Sequence, residues 1–200
     1  MSLAKYKHIK GFMPEIEGKA LCEWARKFSE YGPLLEIGTY CGKSSMFLSE
    51  GAKENNQYVY TIDHHMGSEE HQVNEEYFDE EIFDNISKKI NSFPLFLKNI
   101  NSFKIKNVVP IVKESSLVAK NWNLPLAMVF IDGGHSFETA MNDFIHWNEK
   151  IISGGALVIH DIFENPEDGG QAPFEVYMHA LKNGFNDFER VDTIVCLKKS

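Results

Sequence analysis

The chain has 200 residues, 43% of them hydrophobic and 12% aromatic, enough to build one domain around a sizeable core. Its net charge of −9 argues against a general nucleic-acid binder. Three scattered cysteines, Cys22, Cys41 and Cys196, with no CxxC pair, read as the reduced thiols of a cytoplasmic protein.

Residues 1–31 read as an N-terminal helical cap. The opening MSLAKYKHIKGF lacks the apolar core of a signal peptide. No apolar run anywhere approaches the roughly 20 residues that span a bilayer, so no membrane partner is expected. Ile16, Ala20, Leu21, Trp24 and Phe28 recur at helical spacing and form a candidate core face.

The run PLLEIG (33–38) then leads into GTYCGKSS (38–45). This resembles a phosphate-binding loop, but the spacing fails. That loop needs four residues before its Gly-Lys pair, and only three separate Gly38 from Gly42. A dinucleotide fingerprint fails as well, because Tyr40 stands where its second glycine belongs. What remains is strand, Gly-rich turn and helix, a unit whose backbone N–H groups favour an anionic group such as a carboxylate. Nothing near Cys41 marks it as a nucleophile.

Further apolar runs follow at YVYTID (58–63), VVPIV (108–112), LAMVFID (126–132) and ALVIHD (156–161). Continuous runs of this kind suit strands buried on both faces of a parallel sheet. The stretch from about 66 to 105 is longer than a crossover requires and reads as a helical insertion. Phe137, Ala140, Met141, Phe144 and Trp147 give a second helical core face. The last segment, FNDFERVDTIVCLKKS, reads as a hairpin adding antiparallel edge strands. Alternating strands and helices imply one doubly wound α/β domain over residues 1–200.

In such sheets ligands bind beyond the C-terminal strand ends. Asp63 lies 21 residues after Gly42, where an acid bonds ribose hydroxyls. His64 and His65 follow, and adjacent side chains point different ways, so at most one faces a pocket. Glu114 or Ser115 would reach an adenine edge, although Ser115 equally suits a helix cap. Asp132, His135, His160 and Asp161 end two strands expected to be neighbours. Carboxylates and imidazoles converging there suit a divalent metal or acid–base chemistry.

With these elements in order, the chain resembles class I S-adenosylmethionine-dependent methyltransferases. The resemblance rests on LLEIGTYCGKSS, VYTIDHH, LAMVFIDGGHSFE and GGALVIHDI, which cover roughly residues 33–162. IDGGHSFE is similar to the O-methyltransferase branch that includes antibiotic-tailoring and sugar enzymes, several of them using Mg²⁺. The resemblance implies a Rossmann-like, mostly parallel seven-stranded sheet with helices on both faces and an antiparallel C-terminal edge. It implies that Glu36, Gly38, Thr39, Tyr40, Gly42 and Ser44 hold the methionine end of S-adenosylmethionine. Asp63 and His64 would hold the ribose, Ser115 would border the adenine, and Asp132 would close the cofactor site. Asp132, His160 and Asp161 would hold a metal, and His135 would be the general base beside Asp132. The pair at 160–161 departs from the usual Asp-Asn or Glu-Asp. Mg²⁺ tolerates imidazole poorly, whereas Mn²⁺, Fe²⁺ or Zn²⁺ accept it, so either the metal is not Mg²⁺, or His160 points away, or no metal binds and histidine alone does the proton work.

The expected activity is O-methylation of a small hydroxylated molecule, with no nucleic-acid partner; a homodimer is implied by the resemblance alone. The acceptor pocket would draw on residues 11–13, the stretch from His71 to Phe78, and the loop at 164–175. Three alternatives remain: metal-independent methylation at nitrogen or carbon, a Rossmann-like dehydrogenase, and a non-catalytic cofactor-binding protein.

Overall fold

A computed structural model describes residues 3–67, 78–134 and 136–200. The helices are α1 (Glu15–Phe28), α2 (Lys43–Lys53), α3 (Phe93–Ser102), α4 (Ser115–Ala119), α5 (Phe137–Trp147) and α6 (Ala172–Lys182). The strands are β1 (Leu34–Ile37), β2 (Val59–Asp63), β3 (Phe83–Asp84), β4 (Lys89–Ile90), β5 (Val108–Val112), β6 (Leu126–Ile131), β7 (Ile151–Ile159), β8 (Phe185–Val191) and β9 (Ile194–Lys199). Seven of them form one sheet in the order β5-β2-β1-β6-β7-β9-β8, while β3 and β4 pair separately. The pairs from β5 through β7 are parallel; β9 is antiparallel to both β7 and β8.

The apolar runs become strands because the sheet is covered on both faces. All residues of β1 and β6 are buried. One layer packs Tyr6, Phe28, Phe47 and Phe130; the other packs Phe144, Trp147 and Phe185. Burying a large apolar side chain stabilises the fold by about 1.5–3 kcal/mol. The run at 108–112 differs: β5 is an edge strand and stays half-exposed. β7 begins at Ile151, five residues before the apolar run at 156, and its pairing with β6 shifts register between Leu126 and Met128.

Both helical core faces are slightly rotated from the sequence expectation. Leu21, Trp24 and Phe28 are buried, but Ile16 is 58% exposed and Glu17 faces inward. On α5, Ala140, Phe144 and Trp147 are buried, Phe137 is 51% exposed, and Asp143 is buried with them. The terminal hairpin forms around Asp192, but its second strand, β9, inserts beside β7 and leaves β8 at the edge. Within the insertion, the described residues form the β3–β4 pair and α3, and residues 68–77 lie outside the described residues. Among the described residues, no helix is long and apolar enough to cross a membrane.

Candidate active site

A cavity of about 990 Å³ opens at the C-terminal ends of the parallel strands. Its inner wall is the turn after β1. There Gly38 has φ +90° and Tyr40 has φ +49°, the left-handed region that glycine adopts most readily. Tyr40 is held in it from both ends. Its backbone N–H donates to Asp63 Oδ2 at 2.8 Å, and its hydroxyl donates to Asp79 at 2.8 Å. Thr39 N–H reaches the same Asp63 oxygen at 2.9 Å, and His65 N–H reaches Oδ1 at 2.7 Å. Asp63 therefore fixes the turn while also lining the cavity. Of the two histidines, His64 lines the cavity. His65 is buried, bonds Ser92 and packs against Phe93 and Phe96, and burial lowers its pKa.

Gly38, Thr39, Tyr40 and Ser44 line the cavity, whereas Glu36 and Gly42 stand behind the turn. Gly42 caps α2 with its face against the Phe96 ring. Glu36 is fully buried and accepts hydrogen bonds from Ser44, Ser45 and Thr61, joining β1, β2 and α2. Burial nevertheless raises its pKa to about 7, with Asp132 adding to the rise. Its unfolded value lies near 4.5. The folded state therefore holds the proton more tightly, and the cost of ionising Glu36 is absent below pH 4.5, grows to about pH 7 and is constant above. The stability of the wild type relative to Glu36→Gln should fall by about 3 kcal/mol across that window. Denaturant titrations of both proteins at several pH values would measure it, and a flat difference would contradict it.

The adjoining wall combines the ends of β6 and β7. Asp132 follows β6, and His160 and Asp161 follow β7, with Asp161 at φ +59°. Left-handed backbone at a non-glycine residue is a cost that tends to persist at functional sites. His160 Nδ1 lies 2.9 Å from Asp132 Oδ1 and 3.4 Å from Asp161 Oδ2. Its Nε2 lies 2.8 Å from Glu17 Oε2, on α1. The other Glu17 oxygen accepts from the Thr193 backbone N–H at 2.8 Å and its hydroxyl at 2.7 Å. Burial alone would lower the His160 pKa, but Asp132, Asp161 and Glu17 outweigh it and raise it far above the usual range. Glu17, in turn, is held below its usual value by His160 and Thr193 despite burial.

Donor atoms of Asp132, His160 and Asp161 all lie within 4.8 Å of one another. This trio fits a divalent cation. A cation held there would displace the proton from His160 Nδ1, leaving Nε2–H donated to Glu17, the arrangement that orients metal-bound imidazoles. One nitrogen and two carboxylates suit Mn²⁺ or Zn²⁺ better than Mg²⁺. The fourth member of the expected cluster, His135, lies outside the described residues.

Ser115 begins α4 and lines the cavity. Its Oγ accepts from the Trp147 indole N–H at 2.7 Å and donates to Asp143. Of the expected acceptor segments, Phe12, Met13, Gly169 and Gly170 line the cavity, and Phe12 packs on Tyr40 with ring centroids 5.7 Å apart. The Cys41 thiol is buried, which pushes its pKa up to about 12 and leaves it no nucleophilic role.

Sequence reasoning missed Glu17 and Asp143. Both are carboxylates within amphipathic helices, where acids normally face water. The signal each time was helical spacing: Glu17 stands four, seven and eleven residues before Leu21, Trp24 and Phe28, and Asp143 stands three after Ala140 and four before Trp147.

Residues 35–162 match a family model described as a methyltransferase domain. Three solved structures are similar over nearly the whole chain. Cofactor-bound Rv0187 from MTB is 16% identical with a TM-score of 0.68, covering 98% of this chain and 85% of that one. The SAH-bound Podospora anserina methyltransferase PaMTH1 is 11% identical with a TM-score of 0.67, covering 94% and 80%. The O-methyltransferase TomG from Streptomyces achromogenes, involved in tomaymycin synthesis and solved with SAM, is 15% identical with a TM-score of 0.64, covering 99% and 89%. At these identities the likeness establishes a shared fold.

Proposed function

The chain belongs to the methyltransferase-domain family that its residues 35–162 match, and from that membership we propose that it transfers the methyl group of S-adenosylmethionine to a hydroxyl oxygen of a small molecule. The enzyme class, an S-adenosylmethionine-dependent methyltransferase, rests on the family match and on a fold shared with cofactor-bound proteins. The observation that carries the reading is the meeting, in one cavity, of the Asp63-braced turn with the Asp132/His160/Asp161 trio.

In this reading the Gly38–Ser44 turn and the start of α2 take the methionine end of the cofactor, Asp63 and His64 the ribose, and Ser115 the adenine side. The reaction needs the acceptor oxygen in line with the sulfonium methyl. The oxygen forms the new C–O bond, the C–S bond breaks, and sulfur keeps the electron pair as S-adenosylhomocysteine. The hydroxyl proton goes to a base, for which His135 is the candidate. Asp132 and Asp161, fixed by His160 and Glu17, face the acceptor. A divalent cation held by Asp132, His160 and Asp161 would supply Lewis acidity toward that hydroxyl. Phe12 and Met13 would cover the bound acceptor. The proposed setting is cytoplasmic, with a small-molecule partner, no nucleic acid, and a homodimer as the candidate assembly.

Calorimetric titration with S-adenosylhomocysteine, with and without Mn²⁺, Zn²⁺ or Mg²⁺, tests this. Wild type should bind the product with micromolar affinity, and Asp63→Ala should weaken it at least 100-fold by freeing the turn. A separate metal heat, lost in Asp132→Ala, would support the metal-assisted form. Absence of product binding in wild type under every condition would overturn the reading.

A further inference from the structure

Asp143 is 5% exposed, lies on α5 and lines the active-site cavity. Burying a carboxylate is costly unless donors surround it. Glu36, equally buried, receives three hydroxyl donors. Asp143 has one side-chain hydroxyl donor among the described residues, Ser115, whose orientation is locked by the Trp147 indole. Burial pushes the Asp143 pKa up to about 6, in keeping with thin compensation. Its Oδ2 lies against Gly133, close enough that a Cβ there would approach it to 3.2 Å. A carboxylate with spare acceptor capacity therefore sits where the β5 and β6 ends meet the cavity.

The walls of that corner suit a flat, weakly polar ring. Val112 and Leu117, exposed apolar residues three before and two after Ser115 in the chain, line the same cavity, as do Ile37, which lies against Gly133, and Ile62. A ring there must also bring an N–H donor to the carboxylate. This rests on the cofactor reading above, which puts the base at the Ser115 end of the cavity. We infer that Asp143, braced by Ser115 and Trp147, accepts a hydrogen bond from the exocyclic amine of the cofactor's adenine and so selects that base.

Two analogues and one variant test it by calorimetry. In wild type, the 6-deamino (purine) analogue of S-adenosylhomocysteine, which lacks the amine but adds no bulk, should bind at least tenfold more weakly than S-adenosylhomocysteine. S-inosylhomocysteine, which turns a carbonyl toward the carboxylate, should be disfavoured at least as strongly. Asp143→Asn keeps the shape and offers an amide donor, so the ratio of adenosyl to inosyl affinity should fall at least tenfold. A purely structural Asp143 would weaken both ligands together and leave that ratio unchanged, which would overturn the inference. Equal binding of the deamino analogue by wild type would overturn it too, without any variant that must fold. Failure of wild type to bind S-adenosylhomocysteine at all would instead strike the underlying cofactor reading.

Discussion

Gly38→Ala is expected to eliminate measurable binding of S-adenosylhomocysteine and to lower stability by about 4 kcal/mol. Both effects come from one atom. A Cβ at Gly38 would stand 2.0 Å from the Asp132 carbonyl oxygen and 2.5 Å from its carbonyl carbon. These are backbone atoms, so no side chain can rotate away. The residue also holds φ +90°, costing about 1–3 kcal/mol for any other amino acid, and overpacking adds about 1–3 kcal/mol. The Gly38 N–H donates to Ile62 at 3.0 Å, and Asp132 N–H donates to Ile37 at 2.9 Å, so the turn and the end of β6 cannot separate without losing sheet pairing. The substitution thus forces apart the wall that faces the cofactor and the wall that carries Asp132. For a chain of this size the melting temperature should drop by roughly 10 °C. Gly170→Ala is the control: a Cβ there meets nothing within 4 Å, and the change should stay within about 0.5 kcal/mol. Product binding by Gly38→Ala within a few-fold of wild type would show that this approach is looser than described.

Glu17→Ala should be the most damaging change outside the cavity wall, with a loss of about 4 kcal/mol and at least 100-fold in turnover. The side chain is fully buried and touches no cavity space, yet three donors converge on it: His160 Nε2, the Thr193 N–H and the Thr193 hydroxyl. Breaking a buried charged network by removing one member typically costs about 3–5 kcal/mol. Here the His160 Nε2–H and both Thr193 donors lose their acceptor inside the protein, while His160 keeps Asp132 and Asp161 on its other side. The imidazole, held at one nitrogen only, would also be free to turn. Glu17→Gln separates the two effects. It preserves volume and can accept from Thr193, but turns an amide N–H₂ toward His160. It should recover most of the stability while remaining at least tenfold impaired in turnover. Denaturant unfolding and steady-state rates on both variants read this out, and a fully active Glu17→Ala would dismiss any role for Glu17 in holding the site.

The sheet was legible because its central strands are buried on both faces and hence apolar without interruption; 34–37 and 126–131 are direct examples. The polar residues that end those strands, Asp63, Asp132 and the His160–Asp161 pair, were legible for the complementary reason. A polar residue closing a buried strand is where the chain meets solvent or ligand. What escaped was long-range partnership. Glu17 lies 143 positions from His160, and no local pattern links them. Asp143 was hidden because helical periodicity reports which arc is apolar, and a single acid on that arc looks like a boundary error. Glu36 misled in the opposite sense. An acid before a Gly-rich turn resembles a ligand contact, yet in β1, a fully buried strand, its side chain found hydroxyl donors from α2 and β2 behind the turn.

The placement of β9 bears on how the molecule is made. The strand beside β7 comes from residues 194–199, after β8 has already been synthesised. A growing chain therefore presents the apolar 156–159 segment as an unpaired edge until residues 195–198, which pair with it, have been made and have passed β8. Pairing distant segments is slow, and an exposed apolar edge is a template for self-association. Deleting residues 194–199 should thus trap an aggregation-prone species during biosynthesis, with low soluble yield on expression as its symptom, although every residue lining the cavity is present.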